Sequence, residues 1–328
     1  MIQSQEISAV ELQAAASAIG SIVTEVRKVI AGQRNIIEDA ITGLVSGGHV
    51  LVEGVPGLGK TLLVKALAKT IGGTFARIQF TPDLMPSDVT GHTLYDPSSG
   101  KFTTRKGPVF AHFILADEIN RAPAKTQAAL LEVMQEAQVT IEGESLVLAQ
   151  PFMVFATQNP IEHEGTYPLP DAQLDRFLLN ARIGYPSAEE EVALTRQVTA
   201  GTVGDRLSVD AVATVIDPPH VSRLQSLASR ILVDDRVLDY AVRLARATRE
   251  NGALSRGAGP RASIALVRAA RARAIMAGRA FATPDDVKSV AHSVLRHRIS
   301  VTPELEIEGR GTDSVIGDLL GQVEAPRL

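Results

Sequence analysis

The chain has 328 residues, no cysteine and a formal net charge of −4 with both signs interspersed, which excludes a disulfide framework and argues against the strongly basic footprint of a nucleic-acid binder. Trp is absent and aromatic residues make up only 4% of the chain, so base-stacking platforms are also disfavoured. The first thirty residues contain Glu6, Glu11 and Glu25 and no uninterrupted apolar stretch; neither a signal peptide nor a membrane span is predicted, and the cytoplasm is the expected compartment.

Ser8, with Glu11 three residues on, reads as a capping box that opens an amphipathic helix running to about Ile30 and ended by Gly32. A second short helix is expected from Asn35 to Val45, which puts a nucleotide base near Gln33 and Ile36. His49 to Glu53 is a short apolar, β-branched run bounded by Gly48 and Gly54, the pattern of a buried parallel strand. Directly after it, Gly54-Val55-Pro56-Gly57-Leu58-Gly59-Lys60-Thr61 fits the spacing G-x-x-x-x-G-K-[ST], and Leu62, Leu63, Ala66 and Leu67 continue at helical spacing. Strand, glycine loop and helix thus follow in the order a phosphate cradle needs. Glycines 54, 57 and 59 allow successive N–H groups and the helix N-terminus to converge on one anionic group. Gly54, Gly57, Leu58, Gly59, Lys60, Thr61 and Leu62 form the expected ATP-binding segment, with Lys60 on the β/γ-phosphates and Thr61 on Mg²⁺.

Arg77 to Phe80 and Ala111 to Ala116 read as further core strands. Between them, residues 81 to 107 carry Pro82, Pro86, Pro97 and several glycines around two strand-like pieces, Thr93 to Tyr95 and Lys101 to Thr103, which predicts a hairpin arm. Asp117-Glu118 closes the second of those core strands. Delivered beside the phosphates by a neighbouring strand, Asp117 would hold the Mg²⁺ shell and Glu118 would polarise the attacking water as general base. A helix is expected after Pro123 to about Gln135, then a second hairpin within 138–149, then a buried strand from Phe152 to Ala156. Thr157-Gln158-Asn159 follows that strand, so Asn159 could orient the hydrolytic water.

Strands alternate with helices over residues 50 to 185, the pattern of an α/β fold with a doubly wound parallel sheet. From Ser187 onward the expected elements are helical: 187–200, 222–232, 235–251, 261–278 and 284–297, the last opened by Thr283-Pro284. The boundary near 186 divides a nucleotide-binding domain, 1–185, from an all-helical lid, 186–328. The seven histidines show no H-E-x-x-H spacing, so no zinc site is expected. His163, near Glu162 and Glu164, is expected in an exposed charged loop rather than at a metal, and Arg268, Arg271 and Arg273 read as a solvated or subunit-facing helix side.

The phosphate loop, Asp117-Glu118, Thr157-Gln158-Asn159-Pro160, Leu174-Asp175-Arg176-Phe177 and Gly259-Pro260-Arg261 occur in the order seen in AAA+ ATPases. More narrowly, Val52-Glu53-Gly54-Val55-Pro56-Gly57, Asp117-Glu118-Ile119-Asn120-Arg121-Ala122 and Thr166-Tyr167-Pro168-Leu169-Pro170 resemble the wording of the MoxR family. The resemblance covers nearly the whole chain. It implies an αβα P-loop core with a helical lid, a helix-2 insertion at 81–107, a second hairpin at 138–149, both facing the pore of a ring, and assembly of the chain with itself, typically as a hexamer. It also implies an arginine finger at Arg176, reaching a neighbour's γ-phosphate, and a phosphate-reporting residue at Arg261 that opens a lid helix. Arg at a helix N-terminus is electrostatically disfavoured, so a nearby anion would account for its placement. Arg121 is left open between interface and fold. Mg²⁺-dependent ATP hydrolysis coupled to remodelling of a client protein is the expected function, with a von Willebrand factor A domain protein as partner by resemblance alone. The rivals are the ATPase subunit of a metal chelatase, a nucleotide-gated binding scaffold, and a DNA motor, the last opposed by the charge balance.

Overall fold

The computed structural model describes residues 7–30, 32–55, 57–98, 100–158, 165–199 and 208–327. Ser8 opens α1 (Ala9–Arg27) through a reciprocal capping box with Glu11, and Leu12, Ala15, Ile19, Ile22 and Val26 form its buried stripe. α2 (Arg34–Val45), β1 (Val50–Glu53), α3 (Lys60–Thr70) and β2 (Phe75–Gln79) follow. The insertion then holds α4 (Pro86–Thr90) and a hairpin of β3 (Gly91–Asp96) with β4 (Lys101–Lys106). β5 (Phe113–Asp117) and α5 (Ala124–Glu136) lead to the second hairpin, β6 (Gln138–Ile141) with β7 (Glu144–Val147). Its turn uses φ of 48° at Glu142 and 83° at Gly143, the left-handed pair that a two-residue hairpin demands. β8 (Met153–Gln158), α6 (Asp171–Leu174) and β9 (Leu179–Arg182) complete the α/β part.

Five strands form one parallel sheet in the order β2-β5-β8-β1-β9. Alternate residues serve opposite faces, and both faces are apolar. Val50, Val52, Leu115 and Phe155 pack toward α1, α2 and α3, whereas Leu51, Ile114, Val154 and Ala156 pack toward α5 and the insertion. That two-sided burial is why the core strands read as continuous apolar runs. β9 is not among the strands expected from the sequence: Leu-Asn-Ala-Arg is short and half polar, and its strand character comes from pairing with β1.

The C-terminal part is mainly helical: α7 (Ala188–Thr199), α8 (Pro218–Arg230), α9 (Asp235–Glu250), α10 (Pro260–Met276), α11 (Pro284–Leu295), α12 (Pro303–Ile307) and α13 (Thr312–Gln322). It is not all-helical as expected, because Leu232–Val233 pairs with Phe281–Ala282 and Leu254–Arg256 with Ser300–Val301, pieces too short to show a strand pattern in the sequence. α8 starts earlier than its apolar periodicity indicates, because the Asp217 carboxylate accepts from the His220 N–H and Pro218 sits in the first turn, where no N–H is missed. One apolar cluster runs from α1, α2 and α3 into α8, α9, α10 and α11. Polar ties join the same elements: Arg273 meets Glu38 at 2.7 Å, and Ser293 donates to Asp39 at 2.8 Å. Arg273 therefore faces α2 rather than solvent or a neighbouring subunit. No helix among the described residues is long and apolar enough to cross a membrane.

His49 stitches the start of β1 to two other elements. Its Nδ1 accepts from the Val154 N–H at 3.1 Å, and its Nε2 donates to the Met134 carbonyl at 3.0 Å. Burial, reinforced by the nearby Arg268 charge and opposed by the Met134 bond, brings its pKa down to about 4. A proton on Nδ1 would also forfeit the bond from Val154. Because the folded value lies below the unfolded one, the contribution is complete above the ordinary histidine pKa and is lost as pH falls toward 4. Urea titrations at about pH 7 and about pH 5 should therefore show a larger loss of stability for the wild type than for His49→Gln; equal losses would mean that His49 does not carry this dependence.

Candidate active site

Parallel strands collect their C-terminal ends on one edge of the sheet, and that edge carries Glu53 from β1, Gln79 from β2, Asp117 from β5 and Gln158 from β8. The phosphate loop leaves β1 at Gly54. A Cβ there would lie 2.2 Å from Ile183 Cγ2 and 2.5 Å from the Ile183 carbonyl oxygen, so only glycine lets the loop pass the end of β9. Gly57 and Gly59 adopt φ of 86° and 81° and turn the chain into α3, whose first-turn amides receive no side-chain cap. Those amides form an anion cradle, with Lys60 and Thr61 as the first residues of the helix. Lys60 Nζ bonds the Gly54 carbonyl. Burial pulls its pKa below the usual lysine value, while the carboxylates of Asp117, Glu118 and Glu53 pull the other way. Leu62 is buried beneath the cradle, and Gln33, itself at φ 48°, extends its amide to within 3.5 Å of the Leu58 carbonyl. The predicted loop residues and Gln33 therefore meet at one place.

The strand bearing Asp117 is not adjacent to β1, because β8 is inserted between them. β8 supplies Thr157, whose buried hydroxyl accepts from the Glu118 N–H at 2.9 Å and donates to Asp117 Oδ1 at 2.6 Å. Glu118 has a left-handed backbone, φ 55°, an unusual and costly conformation for a non-glycine residue, and the Thr157 bond helps to hold it. Three further residues grip the acidic pair. Arg77 NH2 lies 2.6 Å from Asp117 Oδ2 and donates to Gln79 Oε1 at 2.8 Å; Gln79 Nε2 donates to Glu118 Oε2 at 2.9 Å; Arg121 Nε lies 3.1 Å from the same oxygen. Arg121 thus belongs to the site through Glu118. Sequence reasoning missed Arg77 and Gln79; their signal is that β2 places alternate residues beside Asp117, Gln79 being its register partner. Asn159 lies outside the described residues.

The two other arginines implied by resemblance lie at the opposite edge. The Leu178 N–H bonds the His49 carbonyl at 2.9 Å, which continues the β9–β1 pairing and puts Arg176 at the N-terminal end of β1. Arg261, at the start of α10, comes within 3.9 Å of Asp175. Both line a cavity of about 350 Å³ together with Gly48, His49 and Arg268. Within one chain, therefore, Arg176 and Arg261 line one cavity, whose lining includes no residue of the phosphate loop. Four residues of β1 separate the two edges, about 13 Å of extended backbone.

A glycine cradle on β1, an Asp-Glu pair on β5 with β8 between the two strands, and a helical lid define a P-loop ATPase of the AAA+ class. Residues 49–179 match the model of the ATPase family associated with various cellular activities, and residues 246–319 match the AAA lid domain. The chain is 44% identical to chaperone MoxR1 of Mycobacterium tuberculosis over 93% of its own length and 82% of that protein's. It is 43% identical to the uncharacterised protein YeaC of Bacillus subtilis, over 94% of this chain and 95% of the other. The crystal structure of a provisionally assigned ATPase from Cytophaga hutchinsonii superposes with a TM-score of 0.88 at 41% identity, covering 96% of this chain and 97% of that one. The chain belongs to the MoxR family of AAA+ ATPases.

Thr157→Val keeps the shape of that side chain but leaves the Glu118 amide and the Asp117 carboxylate without their shared hydroxyl. Denaturant unfolding should show a loss of about 1–3 kcal/mol; a loss below about 0.5 kcal/mol, the level of an ordinary surface change, would mean that the bridge is not what fixes the pair.

Proposed function

We propose that this chain hydrolyses MgATP at sites shared between neighbouring copies in a ring, and uses the cycle to remodel protein partners. In this reading residues 1–185 are the nucleotide-binding domain and residues 186–328 its lid. The observation that carries it is the placement of cradle and arginines at opposite ends of β1, which one chain cannot close on itself. A neighbour docked head to tail would present Arg176 and Arg261 to the phosphate loop. Closed rings, hexamers among them, follow from repeating such a contact.

The donor set suits a magnesium nucleotide: one hydroxyl, Thr61, and one carboxylate, Asp117, beside phosphate oxygens are what Mg²⁺ accepts while keeping several waters. Bound there, the ion would neutralise phosphate charge. Asp117 would have to release Arg77 to serve it. Lys60 would bind the β/γ-phosphates, with Gly54, Gly57, Leu58, Gly59, Leu62 and Gln33 shaping the pocket. Glu118 would take the proton of the attacking water, oriented by Asn159, and Arg176 from the neighbour would offset the charge that builds on the transferring phosphoryl group.

The name of the M. tuberculosis relative, a chaperone, favours a protein client. So does the insertion hairpin, where Tyr95 and Phe102 pack their rings 5.1 Å apart and Phe102 remains 73% exposed. A von Willebrand factor A domain protein as second partner rests on the family resemblance.

Two measurements test the reading. Glu118→Gln should retain ATP while turnover falls by about two to four orders of magnitude, and a near-normal rate would remove Glu118 from the base role. Inactive Arg176→Ala and Glu118→Gln chains, mixed into common assemblies whose composition is verified by native mass measurement, should regain ATPase activity, because some interfaces then pair an intact base with an intact arginine. Activity that is independent of assembly, with no recovery on mixing, would return Arg176 to a structural role.

A further inference from the structure

Arg298 lies just beyond α11 and is almost wholly buried, its side chain 3% exposed. Its Nε donates to Asp175 Oδ1 at 2.8 Å, NH2 to the Phe177 carbonyl at 2.6 Å and NH1 to the Leu178 carbonyl at 3.1 Å, and it also bonds the Val294 carbonyl. These contacts grip the chain on both sides of Arg176, whose own guanidinium bonds the Leu131 carbonyl at 3.2 Å. The neighbouring residues of the same segment add to the grip: His297 Nε2 donates to the Phe177 carbonyl at 3.1 Å, and Arg296 NH1 to the Asn180 carbonyl at 2.8 Å.

Burying a guanidinium is costly before its bonds are counted, and an apolar side chain would cement this contact with less penalty. What a buried arginine supplies in addition is a rigid fork of donors with fixed directions. Here the fork fixes the peptide units next to Arg176. It also engages Asp175, the carboxylate closest in sequence to Arg176 and 3.9 Å from Arg261. Left without Arg298, Asp175 could turn to either of those cations and cancel the charge they carry into the cavity.

We propose that Arg298 is a positioning residue for the arginine pair: it clamps the Asp175–Leu178 segment and holds Asp175 at hydrogen-bond distance, so that Arg176 is not drawn onto that carboxylate and Arg261 keeps only a looser 3.9 Å approach to it, leaving both able to serve a neighbour's nucleotide. This rests on the shared-site reading above. It assigns Arg298 to the half of the site that contains Arg176, not to the half that contains the phosphate loop of its own chain.

The test is complementation between full-length chains. Arg298→Lys keeps the charge and loses the fork; its kcat should fall at least tenfold while its KM for ATP stays within about twofold of wild type. Mixed with Glu118→Gln it should regain activity, and mixed with Arg176→Ala it should not, because both of those chains lack the same half. Near-normal kcat in Arg298→Lys, failure to recover with Glu118→Gln when Arg176→Ala does recover, or recovery with Arg176→Ala would each overturn the proposal. If Arg176→Ala and Glu118→Gln fail to complement each other, the shared-site reading falls first and takes this one with it. Should Arg298→Lys not fold, Arg298→Met fills the same space without the fork of donors and without a partner for Asp175, and the same pattern of mixing is expected.

Discussion

The direction of β1 is the constraint on which the rest of this structure depends. Parallel pairing with both β8 and β9 forces every neighbouring C-terminus to the edge where the phosphate loop begins. The same pairing sends the chain between α6 and β9 to the other edge, because β9 must enter where β1 enters. Glu53 sits at the pivot: its Oε1 accepts from Gln158 and Asn180, each at 2.8 Å, and its Oε2 faces Arg182 at 3.3 Å. A single carboxylate thus ties the strand beneath the loop to both of its neighbours.

Around the acidic pair, charge is offset before any ligand arrives. Arg77 faces Asp117 and Arg121 faces Glu118, with Gln79 bridging between them. Two carboxylates brought together at the mouth of a site would otherwise repel each other. The arrangement also joins this edge of the sheet to the insertion, since β2 ends at Gln79 and the arm begins immediately afterwards. Thr157 ties the third strand to the same pair, so the polar groups of three strands form one connected network.

Much of this was legible in the sequence where a local pattern carries the information. Glycine spacing sets the loop, Ser8 and Glu11 set the start of α1, and apolar runs of four or five residues mark the buried core strands. What was not legible depends on pairing across the chain. β9 has no strand signature of its own. Arg77 and Gln79 are ordinary polar residues until register sets them beside Asp117. Arg176 stands next to Asp175 in the sequence, which suggests an ion pair, yet Asp175 is taken by Arg298, more than a hundred positions away, and Asp171 meets Arg256. The helical part likewise reads as separate, but α1 and α2 share one apolar core with α10 and α11.

The opposed ends of β1 have a consequence for counting. If each interface joins one chain's cradle to the next chain's arginines, a lone subunit owns two unmatched halves and no complete site. An open row of subunits is always one site short of its number of chains, with an idle cradle at one tip and idle arginines at the other. Only closure makes sites equal chains, so per-subunit turnover would climb with the length of a row and level off when its tips meet.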